Sequence, residues 1–212
     1  MYKRQLFDPE VVSKLASCGV TLLDSPTEVF SAALVYLGKD PNSEDLDDLK
    51  AAEAVLAGIR PHIRYIHSSQ QINDLANGEI CVAMGWSGDI MIAADRAAEA
   101  ENGIEISYSI PAEGTIIWFD MLAIPNDAPH PGNAHLFIDY LLEPEVIAAV
   151  SNYVYYANAN SASVEFVEAE ILEDPGIYPT PEVKAKLFPD LSHTPAFTRA
   201  QTRAWTRFKT GR

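Results

Sequence analysis

Apolar positions along the first half of the chain switch repeatedly between two spacings. Short apolar runs at 20–23 and 80–84 and an alternating run at 63–67 are each bounded by glycine or polar turn residues, and each is followed by a stretch with apolar residues three and four apart. Runs of that length read as strands and the stretches after them as helices. Helices are predicted over 9–18, 26–37, 43–58, 69–76 and 89–101. Asp8-Pro9 and Ser25-Pro26 each place a capping side chain before a proline at the first helical position, while Gly19 and Gly38 mark helix ends. Over 43–58, Leu46, Leu49, Ala52, Val55 and Leu56 form the buried stripe and the acids a solvated face. Strands alternating with helices in this way predict an α/β fold with a largely parallel sheet.

The second half reads less regularly. Residues 104–110 alternate as a strand, and Pro111-Ala112-Glu113-Gly114 breaks it at a candidate crossing between lobes. A strand is predicted over 115–125, a loop over 125–131, and helices over 132–142, 145–154, 164–172 and 181–187. A surface helix over 198–209, with Trp205 turned inward, ends the chain. With 212 residues and 48% hydrophobic content, the chain can fill one large domain or two small lobes.

Two aromatic and aspartate pairs stand out in this pattern. Cys81-Val82-Ala83-Met84-Gly85-Trp86-Ser87-Gly88-Asp89 brings Trp86 and Asp89 to a strand-to-helix turn, beyond the carboxyl end of a strand, where open α/β sheets bind ligands. Trp118 and Asp120 are two residues apart in a predicted strand and so share a face. Aromatic faces attract cations, by about 2 kcal/mol when water is excluded. Carboxylates accept ammonium hydrogen bonds worth about 1.5 to 3 kcal/mol. Rings with carboxylates at both ends suit an elongated polycation. Simpler roles compete: Asp89 as the cap of the following helix, and Glu28 as the capping-box acid of the helix over 26–37. The segment Tyr153-Val154-Tyr155-Tyr156-Ala157-Asn158-Ala159-Asn160 suits either a ligand wall or tyrosines packed at a lobe boundary.

Charge and motifs narrow the classes. Fifteen Lys and Arg against 30 Asp and Glu give a formal charge of −15, which disfavours nucleic acid and anionic membranes and favours cations. No run approaches the roughly 18 apolar residues of a membrane span, and residues 1–8 lack the apolar core of a leader peptide. Gly85-Trp86-Ser87-Gly88 misses the nucleophile-elbow pattern because position 89 is Asp. The five histidines show no metal-ligand spacing, and no phosphate or dinucleotide loop occurs. The expectation is no catalytic residue, no metal and no cofactor. Cys18 and Cys81 are either two buried thiols or one disulfide.

The segment from Ser68-Ser69-Gln70-Gln71 through Asn73-Asp74-Leu75-Ala76-Asn77-Gly78 to Gly85-Trp86-Ser87-Gly88-Asp89 closely resembles the periplasmic polyamine-binding proteins of ABC transporters. So do Leu23-Asp24-Ser25-Pro26-Thr27-Glu28, Trp118-Phe119-Asp120, Tyr156-Ala157-Asn158-Ala159-Asn160, Pro175-Gly176-Ile177-Tyr178-Pro179 and Thr202-Arg203-Ala204-Trp205-Thr206. The likeness runs from about Leu6 to the C-terminus and is nearest the putrescine-binding branch. It implies a type II periplasmic-binding-protein fold, no enzymatic activity, putrescine or spermidine as ligand, an ABC permease as partner, and a periplasmic location. It places Glu28, Trp86, Asp89, Trp118, Asp120 and Tyr156 at ligand-contact positions. Trp118 stands where the putrescine branch usually carries Phe. The resemblance also implies a disulfide between Cys18 and Cys81 and hence an oxidising compartment.

By the same resemblance, the leader peptide and most of a first lobe are expected ahead of these residues. Residues 1–111 then read as the second lobe, 112–150 as a returning segment of the first, and 151–212 as a hinge return with helices packed on the second lobe. Apolar surface around Trp118 and the helix after it is expected to be exposed and to invite dimerisation or segment exchange. Two further readings stay open, a polyamine sensor of the same fold and a cytosolic amine-processing enzyme.

Overall fold

The computed structural model describes residues 2–211, so Met1 and Arg212, at the ends of the expected lobe division, lie outside the described residues. The chain forms two compact units, Met1–Ile117 with Pro181–Arg212, and Trp118–Thr180. Expected boundaries at 111/112 and 150/151 differ from the observed ones at 117/118 and 180/181. Residues 151–180 group with 118–150 because the helix over 144–154 packs against the 3₁₀ helix over 161–166 that follows it.

The first unit is built on a three-stranded parallel sheet. β1 (Val20–Leu22) is central, flanked by β2 (Tyr65–Ile66) and β3 (Val82–Ala83). Thr21 pairs with both Tyr65 and Ala83. Strand side chains alternate between faces, so Thr21, Tyr65 and Ala83 share one face, and Val20, Leu22, Ile66 and Val82 share the other.

The Val20 and Leu22 face buries the larger core. Around it stand α1 (Arg4–Phe7), α2 (Pro9–Val12), α3 (Pro26–Tyr36), α4 (Leu46–Ile59) and the C-terminal helix over 195–210, contributing Phe7, Val12, Phe30, Leu56, Ile59, Trp205 and Phe208. The Ala83 face packs on α5 (Gln70–Ala76) and α6 (Ser87–Glu99) through Leu75, Ile80, Ile90 and Ala93. Unit 1 is thus a three-layer α/β/α arrangement.

Several elements stop short of expectation. The helix expected over 9–18 keeps α geometry only through Val12; Ser13 bonds back to the Glu10 carbonyl, and the amides of Lys14 and Leu15 reach carbonyls three residues back, tightening the chain into turns. Residues 104–110 alternate as predicted, with Ile104, Ile106, Tyr108 and Ile110 half-buried between exposed neighbours, yet they join no sheet. Ile106 and Tyr108 cover the smaller core instead, and burial pushes the Tyr108 phenol up to about 12. The strand expected over 115–125 is only β4 (Ile116–Ile117).

The second unit holds α7 (Pro131–Leu141), α8 (Pro144–Val154) and α9 (Ala169–Leu172) around the short 3₁₀ turn, with Ala148, Ser151, Ser163, Val167, Ile171 and Ile177 as its small interior. No α7 side chain is buried. Phe119, Met121, Leu122, Leu136, Phe137, Tyr140 and Leu142 are all exposed, in line with the expectation for this region.

After the second unit the chain returns through α10 (Pro181–Lys184), β5 (Phe188–Pro189), which pairs parallel with β4, and α11 (Pro195–Thr210). The pairing ends at Pro189, which has no N–H to extend it. Side chains of unit 1 hold the returning segment. Asn42 Nδ2 donates to the Pro189 carbonyl (3.0 Å) and its Oδ1 accepts from the Leu191 amide (3.1 Å). Glu44 accepts from the Thr194 amide (2.5 Å) and hydroxyl (3.1 Å), while Arg207 makes a forked pair with Glu53 at 2.6 and 2.8 Å.

Gly114 sits where β4 begins, with φ +93°, and a Cβ there would stand 2.1 Å from the Lys186 carbonyl oxygen. Both the backbone angle and the rigid neighbour require glycine. Gly114→Ala is expected to cost about 1 to 3 kcal/mol, read as a lower urea midpoint at unchanged slope; an unchanged midpoint would show that the β4–β5 crossing gives way freely.

Candidate functional site

Parallel strands point their carboxyl ends to one edge. At that edge of unit 1, β1 leads through Asp24 and Ser25 into α3, β2 through His67 and Ser68 into α5, and β3 through Gly85 and Trp86 into α6. The helices that follow β1 and β3 lie on opposite faces of the sheet, α3 with the larger core and α6 with the smaller. The carboxyl ends of β1 and β3 lie side by side at that edge, at the kind of switch point where such sheets bind ligands.

Glu28 and Trp86 meet at that point. Glu28 lies in the first turn of α3, where the helix dipole favours a carboxylate, and its Oε1 accepts the Trp86 indole N–H at 2.6 Å. Both side chains are half-buried. The capping-box role for Glu28 gains no support from Ser25, whose side chain makes no cap hydrogen bond. Trp86 is the N-cap residue of α6, extended at φ −76°, ψ 147°, and Asp89 lies in the same helix's first turn, also half-buried. The turn before Trp86 is tightly packed: a Cβ on Gly85 would stand 2.6 Å from Ile90 Cδ1.

Unit 2 contains a second group. The Trp118 and Tyr156 rings lie 5.9 Å apart, tilted by 51°. Asp120 is exposed two residues beyond Trp118, in chain that belongs to no strand. Tyr155 closes α8 in the left-handed region at φ 59°, which turns the chain into Tyr156. The amides after it hold the loop. Asn158 donates to Ser151 Oγ (2.9 Å) and accepts from the Asn160 amide and Ser163 hydroxyl (2.9 Å each). Asn160 accepts from the Ala162 amide (3.0 Å) and donates to the Leu142 carbonyl (2.8 Å). The asparagines thus brace the loop that presents Tyr156.

The six candidate residues therefore fall into two groups, Glu28, Trp86 and Asp89 in unit 1, and Trp118, Asp120 and Tyr156 in unit 2. Cys18 and Cys81 form a disulfide joining the turn before β1 to the start of β3 across a separation of 63 residues. Closing a loop of that size contributes about 4 kcal/mol by the chain-entropy model. The described residues hold no cluster of three or more His, Cys, Asp and Glu with the arrangement of a metal site, and no helix among them is long and apolar enough to cross a membrane.

Sequence reasoning missed Asp24. It accepts from Trp205 Nε1 (3.1 Å) and Lys209 Nζ (2.5 Å), which fastens α11 beside the edge that carries Glu28, and its amide donates to Ser68 Oγ (3.0 Å). Trp205 and Lys209 at i, i+4 share one helix face; nothing local shows that their acceptor lies more than 180 residues earlier.

The fold is that of type II periplasmic-binding proteins. The chain belongs to the bacterial extracellular solute-binding protein family, whose model matches residues 6–180. It is 52% identical over 208 residues to the putrescine-binding periplasmic protein PotF of Escherichia coli K12, covering 98% of this chain and 56% of that protein. Against the putrescine-binding periplasmic protein SpuD of Pseudomonas aeruginosa UCBPP-PA14 it is 50% identical over 210 residues, with the same coverage of each. A solved chain from Listeria monocytogenes, described as a spermidine/putrescine ABC transporter, superposes with a TM-score of 0.84 at 29% identity, over all of this chain and 62% of that one. The chain thus spans a little over half the length of these relatives.

Asp24 also gives a pH signature. The Lys209 ammonium, helped by the Trp205 N–H and opposed by partial desolvation, holds its carboxyl below the usual range. The folded state then binds fewer protons than the unfolded one, so the contact stabilises fully above pH ~4 and is lost as pH falls below it. Thermal melts between about pH 5 and pH 2 are expected to show a smaller acid-induced fall for Asp24→Asn than for the parent chain; parallel curves would show that Asp24 does not fasten α11.

Proposed function

We propose that this chain binds putrescine or a closely related polyamine, and that the protein to which it belongs delivers that ligand to an ABC permease from the periplasm. The observation that carries the reading is the pair of ring and carboxylate groups, Trp86 with Glu28 and Asp89 at the switch point of unit 1, and Trp118 with Tyr156 and Asp120 in unit 2. A diamine has a cation at each end and methylenes between, so it needs carboxylates for its ends and rings for its length. The chain's −15 charge favours the approach of such a ligand. The putrescine-binding relatives from Escherichia coli and Pseudomonas aeruginosa support the same ligand class, and the disulfide supports an oxidising compartment.

In this reading unit 1 is the second lobe of the parent protein and unit 2 belongs to the first. The exposed apolar residues of α7 and of the Trp118–Leu122 segment are then an incompletely covered lobe surface, which favours self-association of this chain.

Calorimetric titration with putrescine and spermidine tests the ligand. Saturable heat is expected from the parent chain, and the Asp89→Asn, Asp120→Asn double variant is expected to bind roughly tenfold or more weakly, as loss of charged hydrogen bonds requires. No heat from a demonstrably folded chain would overturn the reading for this chain. Light scattering tests the surface, with an expected mass above the 23.2 kDa of one chain; a monodisperse monomer would contradict it.

A further inference from the structure

Glu28 and Asp89 are both acids in the first turn of a helix at the sheet's carboxyl edge, and Glu28 meets the Trp86 indole. Its Oε1 is 2.6 Å from the Trp86 indole nitrogen, a short contact of the charge-assisted kind. We propose that Glu28 is a positioning residue, whose carboxylate orients and polarises the Trp86 indole so that the ring face, and not the carboxylate itself, meets the ammonium end of the ligand. This rests on the polyamine reading above.

Three observations converge on it. Trp86 lies at an N-cap, where the extended backbone carries the ring away from the axis of α6 and leaves its orientation to whatever it touches. The backbone beneath is crowded, since a side chain at Gly85 would run into Ile90, so the indole is the part still to be aimed. Glu28 comes from the other side of the switch point, on α3 after β1, and a hydrogen bond across it sets the ring relative to both strands. Drawing the indole proton toward a negative oxygen raises electron density in the ring. Attraction of a cation to the ring face grows with that density. One carboxylate thereby fixes the wall of the site and strengthens it.

The test uses the full chain with 15N-labelled indoles. Three tryptophans give three indole N–H signals, and Trp86→Phe identifies one of them. Glu28→Ala is expected to move the Trp86 signal to the position of a water-exposed indole and to weaken putrescine binding roughly tenfold. Glu28→Gln, whose amide oxygen still accepts but carries no charge, is expected to keep a hydrogen-bonded signal and to bind more weakly than the parent chain and more tightly than Glu28→Ala. In a Trp86→Phe background, Glu28→Ala is expected to change affinity less than about twofold, because the two side chains act as one. Should Glu28→Ala fail to fold, Glu28→Met keeps the volume, removes the acceptor and serves the same comparison. Losses that add in the double variant would make Glu28 a direct ligand contact and overturn the proposal. So would an indole signal unmoved by loss of the acceptor, an outcome readable even if the chain binds no putrescine, which would overturn the polyamine reading separately.

Discussion

β1 constrains unit 1 more than any other element. It has three residues, all buried, and both neighbouring strands pair to it and not to each other. Thr21 turns to α5 and α6, while Val20 and Leu22 turn to α3, α4 and α11. A one-residue slip would exchange the two faces, setting a hydroxyl in the larger core and two aliphatic side chains against the smaller one. The same parallel register brings the ends of β1 and β3 side by side. The Glu28 and Trp86 hydrogen bond is therefore a consequence of strand register as much as of either side chain. The disulfide acts at the opposite end of this sheet, tying the approach to β1 to the approach to β3.

The helices of unit 1 that begin with a cap and proline, and the parallel sheet itself, were legible because each rests on local chemistry. Asp8 caps α2 ahead of Pro9, Pro26 starts α3 even though the Ser25 side chain makes no cap bond, and a strand, helix, strand repeat fixes the order of connection. The misread elements are those whose state is set by a distant partner. Residues 104–110 have a strand's alternation, but alternation reports one buried face and not a hydrogen-bonded neighbour, and here the buried face is satisfied by Ile90, Leu75 and Ala93. The apolar run after Thr115 reads as a longer strand; its length is limited by β5, where Pro189 has no N–H to donate.

The candidate residues show the same division. Trp86 and Asp89 could be placed from sequence because a strand-to-helix turn is a local feature. Glu28 was placed by resemblance, and its hydrogen bond joins positions 58 residues apart, beyond any periodicity. Asp24 was within a quoted motif but had no assigned role, since its contacts come from α11, whose spacing shows a face and not what the face meets. In the Tyr156 segment, sequence composition left ligand wall and packing open. In the structure Asn158 and Asn160 brace the loop and the Tyr156 ring packs against Trp118.

Returning the chain to unit 1 through α11 has a consequence for the edge that carries Glu28. Asp24 stands four residues before Glu28 and holds the last turns of α11 through Trp205 and Lys209, while Arg60 donates to the Phe208 and Lys209 carbonyls at 3.1 and 3.2 Å. The end of α11 is thus fastened on one side to the β1–α3 connection and on the other to the end of α4. Because Phe30 and Trp205 also pack edge to face at 6.2 Å, α3 cannot tilt without disturbing both the core and that fastening. The first turn of α3, and with it the carboxylate that meets Trp86, is held by the last residues of the chain. A segment remote in sequence thereby stiffens the edge that carries Glu28 and Trp86, which is the preorganisation that the proposed binding site needs.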